Sequence, residues 1–244
     1  MKEMRTMRRG VLFVAAPFCF FLAGCGDPKD EVIDGVTLPD IEKAGFSLQV
    51  THTHMHMVTG NTWEYDAVTP AGTEHTTVEI PADRRAFSKP NVEATAVVRA
   101  VTLGGAKVRE STTWLGMDST GSVWQFGKDE CVYEGATCTA TADSWEWAHG
   151  DARPGIVLPG GPDSDPGPYY EVYYKDHVED VAEVLSVGEA VTVPGGSFGD
   201  CVKMQHTSKL DASVNRVIYY CPIVGIALIE EDGVKTELTH FGGV

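Results

Sequence analysis

Two hydrophobic rhythms divide this chain. Residues 11–23 form a nearly unbroken apolar run, whereas beyond Phe46 apolar and polar positions mostly alternate. The alternation is clearest at residues 63–65, 76–80, 94–101, 109–115, 122–126, 169–174, 191–193, 202–205, 214–220 and 226–230. These stretches are rich in Val, Thr, Ile, Tyr and Trp, the residues that suit a pleated, half-buried surface, and they are predicted strands. Gly104-Gly105, Asp118-Ser119-Thr120-Gly121, Glu134-Gly135, Pro194-Gly195-Gly196 and Asp232-Gly233 separate them. Such residues turn the chain either by tolerating positive φ or by bonding their own backbone. Many short strands so spaced predict an all-β fold: a single antiparallel meander domain closed into a barrel or half-barrel, with at most one short helix. One stretch is ambiguous. Val178, Val181, Ala182 and Leu185 fit a helical stripe, yet Val178, Asp180, Ala182 and Val184 alternate, and periodicity does not choose between them. Residues 154–168, dense in proline and glycine, read as a long loop.

The apolar run at 11–23 follows Lys2, Arg5, Arg8 and Arg9, the charge-then-apolar order of a secretory signal. It falls short of the roughly 18 residues that a membrane-spanning helix needs. Leu22-Ala23-Gly24-Cys25 resembles a bacterial lipobox. That resemblance implies cleavage before Cys25 and lipidation of its thiol and new amine, so residues 1–24 are expected to be a signal peptide and Cys25 a palmitate-type anchor. More than one acyl chain gives a stable tether. The position after Cys25 is Gly26, not the aspartate that retains such proteins at the inner membrane, so the resemblance favours the outer membrane where a host has two. Residues 25–45, charged and without a sustained period, read as a flexible tether, and 46–244 as the globular domain.

Charge removes one class of partner. The net charge is −16 despite the basic leader, which argues against nucleic acid and places the domain off an anionic membrane surface. Cysteine usage agrees with export. Four cysteines remain beyond Cys25, namely Cys131, Cys138, Cys201 and Cys221, and an oxidising periplasm permits them to pair. Three pairings exist. Cys131 and Cys138 flank Glu134-Gly135, and Cys201 and Cys221 bracket a polar stretch between two β-like runs, so hairpin geometry favours 131–138 and 201–221.

The blocks Gly121-Ser122-Val123-Trp124-Gln125-Phe126-Gly127, Tyr173-Tyr174-Lys175, Ala182-Glu183-Val184-Leu185-Ser186, Val191-Thr192-Val193-Pro194, Gly196-Ser197-Phe198 and Tyr219-Tyr220-Cys221-Pro222 resemble a group of bacterial exported proteins and lipoproteins without an assigned activity. The resemblance implies a β-rich exported domain and no particular reaction. Gly60-Asn61-Thr62-Trp63 resembles the start of a lipocalin first strand, and a lipocalin-like or LolA-like barrel is the expected architecture. The group tends to place a small apolar residue where Cys221 stands, which supports a pairing with Cys201 particular to this chain.

Candidate chemistry is sparse. In the segment from Thr51 to Met57, His52, His54 and His56 alternate with Thr53, Met55 and Met57. An extended backbone would put the imidazoles on one face and the methionines on the other. Imidazole and thioether suit copper, and imidazole suits zinc, so these five residues are the candidate metal ligands, with His75, His206 or His240 as helpers; a surface strand with inward methionines is the alternative. Gly195-Gly196-Ser197-Phe198-Gly199 fits the G-x-S-x-G pattern, but a strand follows it where a hydrolase needs a helix, so it reads as a hairpin turn. Asp118-Ser119-Thr120-Gly121 and Asp163-Ser164-Asp165 lack the downstream glutamate of a calcium loop and read as turns. Tryptophans and tyrosines read as core, and Glu146, between Trp145 and Trp147, as solvated. No paired acid, base and nucleophile is visible, and the expected role is non-enzymatic: a membrane-anchored envelope protein binding a small hydrophobic ligand or an envelope partner. Extracytoplasmic metal binding and a structural envelope role are the alternatives.

Overall fold

The computed structural model describes residues 30–41, 45–47, 49–88, 91–162 and 167–243. The expected signal peptide, Cys25 and Asp163 to Asp165 lie outside them. No α-helix occurs among the described residues.

In chain order the strands are β1 (Glu31–Ile33), β2 (Val36–Leu38), β3 (Phe46–Ser47), β4 (Val50–His52), β5 (Met55–Met57), β6 (Thr62–Thr69), β7 (Gly72–Glu79), β8 (Arg84–Phe87), β9 (Val92–Leu103) and β10 (Ala106–Asp118). There follow β11 (Val123–Glu134), β12 (Thr137–Ala140), β13 (Trp145–Glu146), β14 (Arg153–Leu158), β15 (Tyr169–Tyr174), β16 (Val178–Val193), β17 (Gly196–Ser208), β18 (Asn215–Cys221), β19 (Gly225–Glu231) and β20 (Val234–Gly242). Twelve of these close on themselves. From β6 the antiparallel ladder passes to β7, β9, β10, β11, β14, β15, β16, β17, β18, β19 and β20, and β20 pairs back onto β6. The expected all-β barrel is therefore present and complete, with no open edge in the ring.

Alternation sets the two sides of the wall. Along β6, Trp63, Tyr65 and Ala67 are buried while Glu64 is exposed, and β7 presents Thr76 inward and Thr77 outward. Glu64, Glu79, Lys107 and Asp129 are exposed on the outside, a wall that suits water and would be costly against lipid. The shorter strands lie on this frame: β8 extends the β9 ladder, β3 adds to β10, and β12 and β13 add to β11. The β4–β5 hairpin pairs only with itself and carries buried Val50, Met55 and Met57 into the same core as Trp63, Leu115 and Tyr220. It closes one end of the barrel: His52 meets the Pro159 carbonyl at the end of β14, and Ile223 in the β18–β19 turn donates its amide to the Thr53 carbonyl at 3.1 Å.

Three expectations change here. Residues 30–41, read as part of the tether, instead form the β1–β2 hairpin, which packs Val36 and Leu38 against Tyr170 and Val181. Its strands are three residues long and flanked by charges, too brief to register as a pattern. Residues 154–168 are not all loop, because β14 supplies a barrel strand through Pro154 and Gly155. A Cβ added at Gly155 would lie 2.0 Å from the Tyr170 carbonyl oxygen, so this glycine marks the close approach of β14 to β15. The ambiguous segment is strand: β16 runs unbroken in the ladder from Val178 to Val193 with register shifts that absorb its length.

Cys131 pairs with Cys138 across the β11–β12 hairpin, and Cys201 with Cys221 across β17 and β18, with Cα separations of 5.6 and 4.1 Å. Both pairings follow the hairpin reading.

Candidate functional site

The barrel encloses a cavity of about 480 Å³, within the range of small-molecule sites. Its floor lies at the β4–β5 end and is apolar: Met55, Met57, Trp63, Leu115, Val157 and Ile218. Its mouth is at the opposite end, where Arg109, His177, Leu210 and Asp211 stand among the exposed turns. Between floor and mouth runs a belt of charge made by Arg99, Lys128, Glu130, Glu171, Asp180, His206 and Arg216.

Two irregularities of register put parts of this belt in place. In β11, Trp114 faces Gly127 and Leu115 faces Gln125, which leaves Phe126 unopposed, so Gln125 and Lys128 both reach the interior despite their odd spacing. In β15, Tyr170 pairs with Val181 and Val172 with Asp180, so Glu171 has no partner on β16. A bulge of this kind re-aims a side chain, and here it turns a carboxylate into the cavity.

The Glu171 carboxylate meets the His206 Nδ1 at 2.8 Å, and His206 is only 5% exposed. Burial pushes the Glu171 carboxyl up, but His206, Arg216 and Lys128 outweigh it and hold the group below its ordinary value. Asp180 is pushed up to about 6, first by burial and then by the Glu171 charge, against the pull of Ser208, Lys128 and Arg216. Lys128 pairs with Glu130 at 2.8 Å, and Arg216 grips both oxygens of Glu231 at 3.2 and 3.0 Å. Arg99 has no such partner among the described residues. Its Nε and the His206 Nε2 are buried polar atoms without a hydrogen bond.

The five candidate metal ligands are divided by a turn. Thr53 and His54 form the bend of the β4–β5 hairpin, so the alternation does not run through it: His52, Met55 and Met57 are buried on one side and His56 is exposed on the other. The expectation of three imidazoles on one face is corrected accordingly. The His52 and His54 rings lie 5.7 Å apart. His52 faces the Pro159 carbonyl with Nε2 and accepts the His54 amide on Nδ1, which uses both ring nitrogens. Burial, with His54 adding, lowers its pKa. His54 directs Nε2 to the Asp200 carbonyl at 2.9 Å. Among the described residues no group of three or more His, Cys, Asp or Glu is placed to hold a metal ion. Of the expected helpers, His75 pairs with Asp66 on the outer wall and His206 belongs to the cavity belt.

Of the remaining described motifs, Asp118 to Gly121 is a turn and the serine motif runs from a turn into β17. Asp118 uses one carboxylate oxygen for the amides of Thr120 and Ser122 and the other for the Trp124 indole, at 2.8, 3.0 and 2.8 Å. The glycine-rich serine motif opens β17 directly after the turn at Pro194 and Gly195. Glu146 is not simply solvated but pairs with Arg85 at 2.5 Å. Trp63, Trp124 and Trp145 are buried, and Trp63 and Trp145 also line the cavity.

No protein-family model matches this chain, and no curated protein shows significant similarity to it. A solved structure described as "a putative lipoprotein from Parabacteroides distasonis" aligns at 12% identity and a TM-score of 0.42, over 78% of this chain and 99% of that one. A likeness at that level carries no weight for function.

Proposed function

We propose that this chain is a lipid-anchored envelope protein whose barrel binds a small, largely apolar molecule in its interior without transforming it. The observation that carries the reading is the cavity itself: about 480 Å³ inside a closed ring, floored by apolar side chains and open at one end. Cores pack to crystal density, and a void of this size forfeits the contacts its lining would otherwise make. A resident ligand restores those contacts. The resemblance of residues 22–25 to a lipobox and the two disulfides support an exported setting in which such a ligand would be met.

The test uses the purified full chain and phenylnaphthylamine, an uncharged dye that brightens in apolar surroundings. Wild-type protein is expected to bind it with micromolar affinity, and Ser111→Trp, which fills the cavity from β10, to lose binding while keeping its far-UV circular dichroism. A folded wild-type protein that leaves the dye dark would sink the reading.

A further inference from the structure

Most of the charged side chains in the belt have a close polar partner, whereas Arg99, Arg109 and Asp180 form no ion pair among the described residues. Glu171 is answered by His206, Lys128 by Glu130 and Arg216 by Glu231. Arg99 forms no ion pair and no side-chain hydrogen bond among the described residues, and its Nε is sealed from solvent with nothing to donate to. Its neighbours across the ladder are Val78 on β7 and Ser111 on β10, neither of them charged. Burial, and then the positive charges of Arg216 and Arg109, lower the affinity of this guanidinium for its proton, against a weaker opposing pull from Tyr65 and the Glu130 carboxylate. Arg109 stands nearer the mouth and likewise forms no ion pair among the described residues. A half-buried guanidinium with a sealed Nε and no ion-pair partner is expensive, more so in a chain of net charge −16 that has carboxylates to spare elsewhere.

We infer that Arg99 is the receptor for the anionic head of an amphiphile whose tail occupies the floor of the barrel, the ligand class being a medium-chain carboxylate. This rests on the interior being a binding cavity. Below Arg99 the lining is Met55, Met57, Trp63, Leu115 and Ile218, which accepts an alkyl chain and no charge. A guanidinium offers two parallel N–H donors that match the two oxygens of a carboxylate. The head carries one charge and not two, because Glu130, Glu171 and Asp180 share the belt and repel a second. The unpartnered His206 Nε2 gives the same belt another polar contact.

Decanoate, decanol, decylamine and decyl phosphate, displacing phenylnaphthylamine from the full chain, test this. Decanoate is expected to bind roughly tenfold to a hundredfold more tightly than decanol, the worth of a charge-assisted hydrogen bond, and decylamine not to compete. Arg99→Gln should lose that advantage, bind decanol unchanged, and melt at a higher temperature than the unliganded wild type because the stranded charge is gone; Arg99→Lys should retain part of the preference. Decanol binding as well as decanoate, or Arg99→Gln keeping the preference, would overturn the assignment while leaving the cavity reading intact. Tighter binding of decyl phosphate would overturn the single-charge head. Failure of all four, with the dye bound, likewise rejects the ligand class, whereas failure of the dye as well rejects the cavity.

Discussion

Asp180 shows how one residue can report on the whole belt. Its carboxyl titrates at about 6 because burial and the Glu171 carboxylate both disfavour its charge. A carboxyl whose folded value lies above its ordinary 3.8 costs stability wherever it is ionised in both states. That cost is full above about pH 6 and disappears below the ordinary value. Asp180→Asn should therefore stabilise the protein at pH 7.5 by on the order of 2 kcal/mol, the cost of keeping this carboxylate charged in the folded interior. At pH 3.5 the same substitution should give no gain, and urea denaturation at the two pH values checks the difference. A gain of equal size at both would mean that charge is not what strains the site. Glu171 shows why such positions escape a reading of the sequence: its inward direction depends on a bulge, which shifts the phase of alternation without leaving a mark in the residue types. Arg99 is harder still. In Val97-Val98-Arg99-Ala100-Val101 both phases are apolar, so nothing in the stretch says which face the arginine takes.

At the scale of elements, what was legible is the strand with one wet face. β6, β7, β10 and β18 could be read because burial on one side alone imposes a period of two. β14 was hidden, since Pro154 and Gly155 are breakers by composition and yet serve here as the narrow contact with β15. The β4–β5 hairpin was misread for the opposite reason: an apparent run of alternation was interrupted by a turn that uses Thr53 and His54 in place of glycine or proline. The disulfides, by contrast, followed from hairpin spacing alone. They are not equivalent in effect. Cys201 and Cys221 are fully buried and close a loop with a sequence separation of 20, against 7 for half-buried Cys131 on β11 and Cys138 on exposed β12. Replacing the first pair by alanines should cost about 3 kcal/mol and the second about 2 kcal/mol by chain entropy, with the buried pair adding a packing loss. Guanidinium titration of the two double variants gives the comparison. An inverted order would show that the outer hairpin, and not the β17–β18 ladder, anchors the wall.

For the molecule as a whole, the seam between β20 and β6 sets the order of assembly. Thr236 pairs with Ala67 and Phe241 with Trp63, so the ring is completed by partners some 170 residues apart. Non-local closure of this kind is slow, because loop entropy must be spent before any contact returns it. A chain made from its N-terminus presents β6 before β20, and until β20 emerges both β6 and β19 stand as bare hydrogen-bonding edges. Removing residues 232–244 makes that transient state permanent. The shortened protein is expected to aggregate or to fall to proteases, although it retains every residue of the charged belt, and sedimentation of the expressed product would show it. The strand that closes the ring is thus the stave that lets the vessel hold anything.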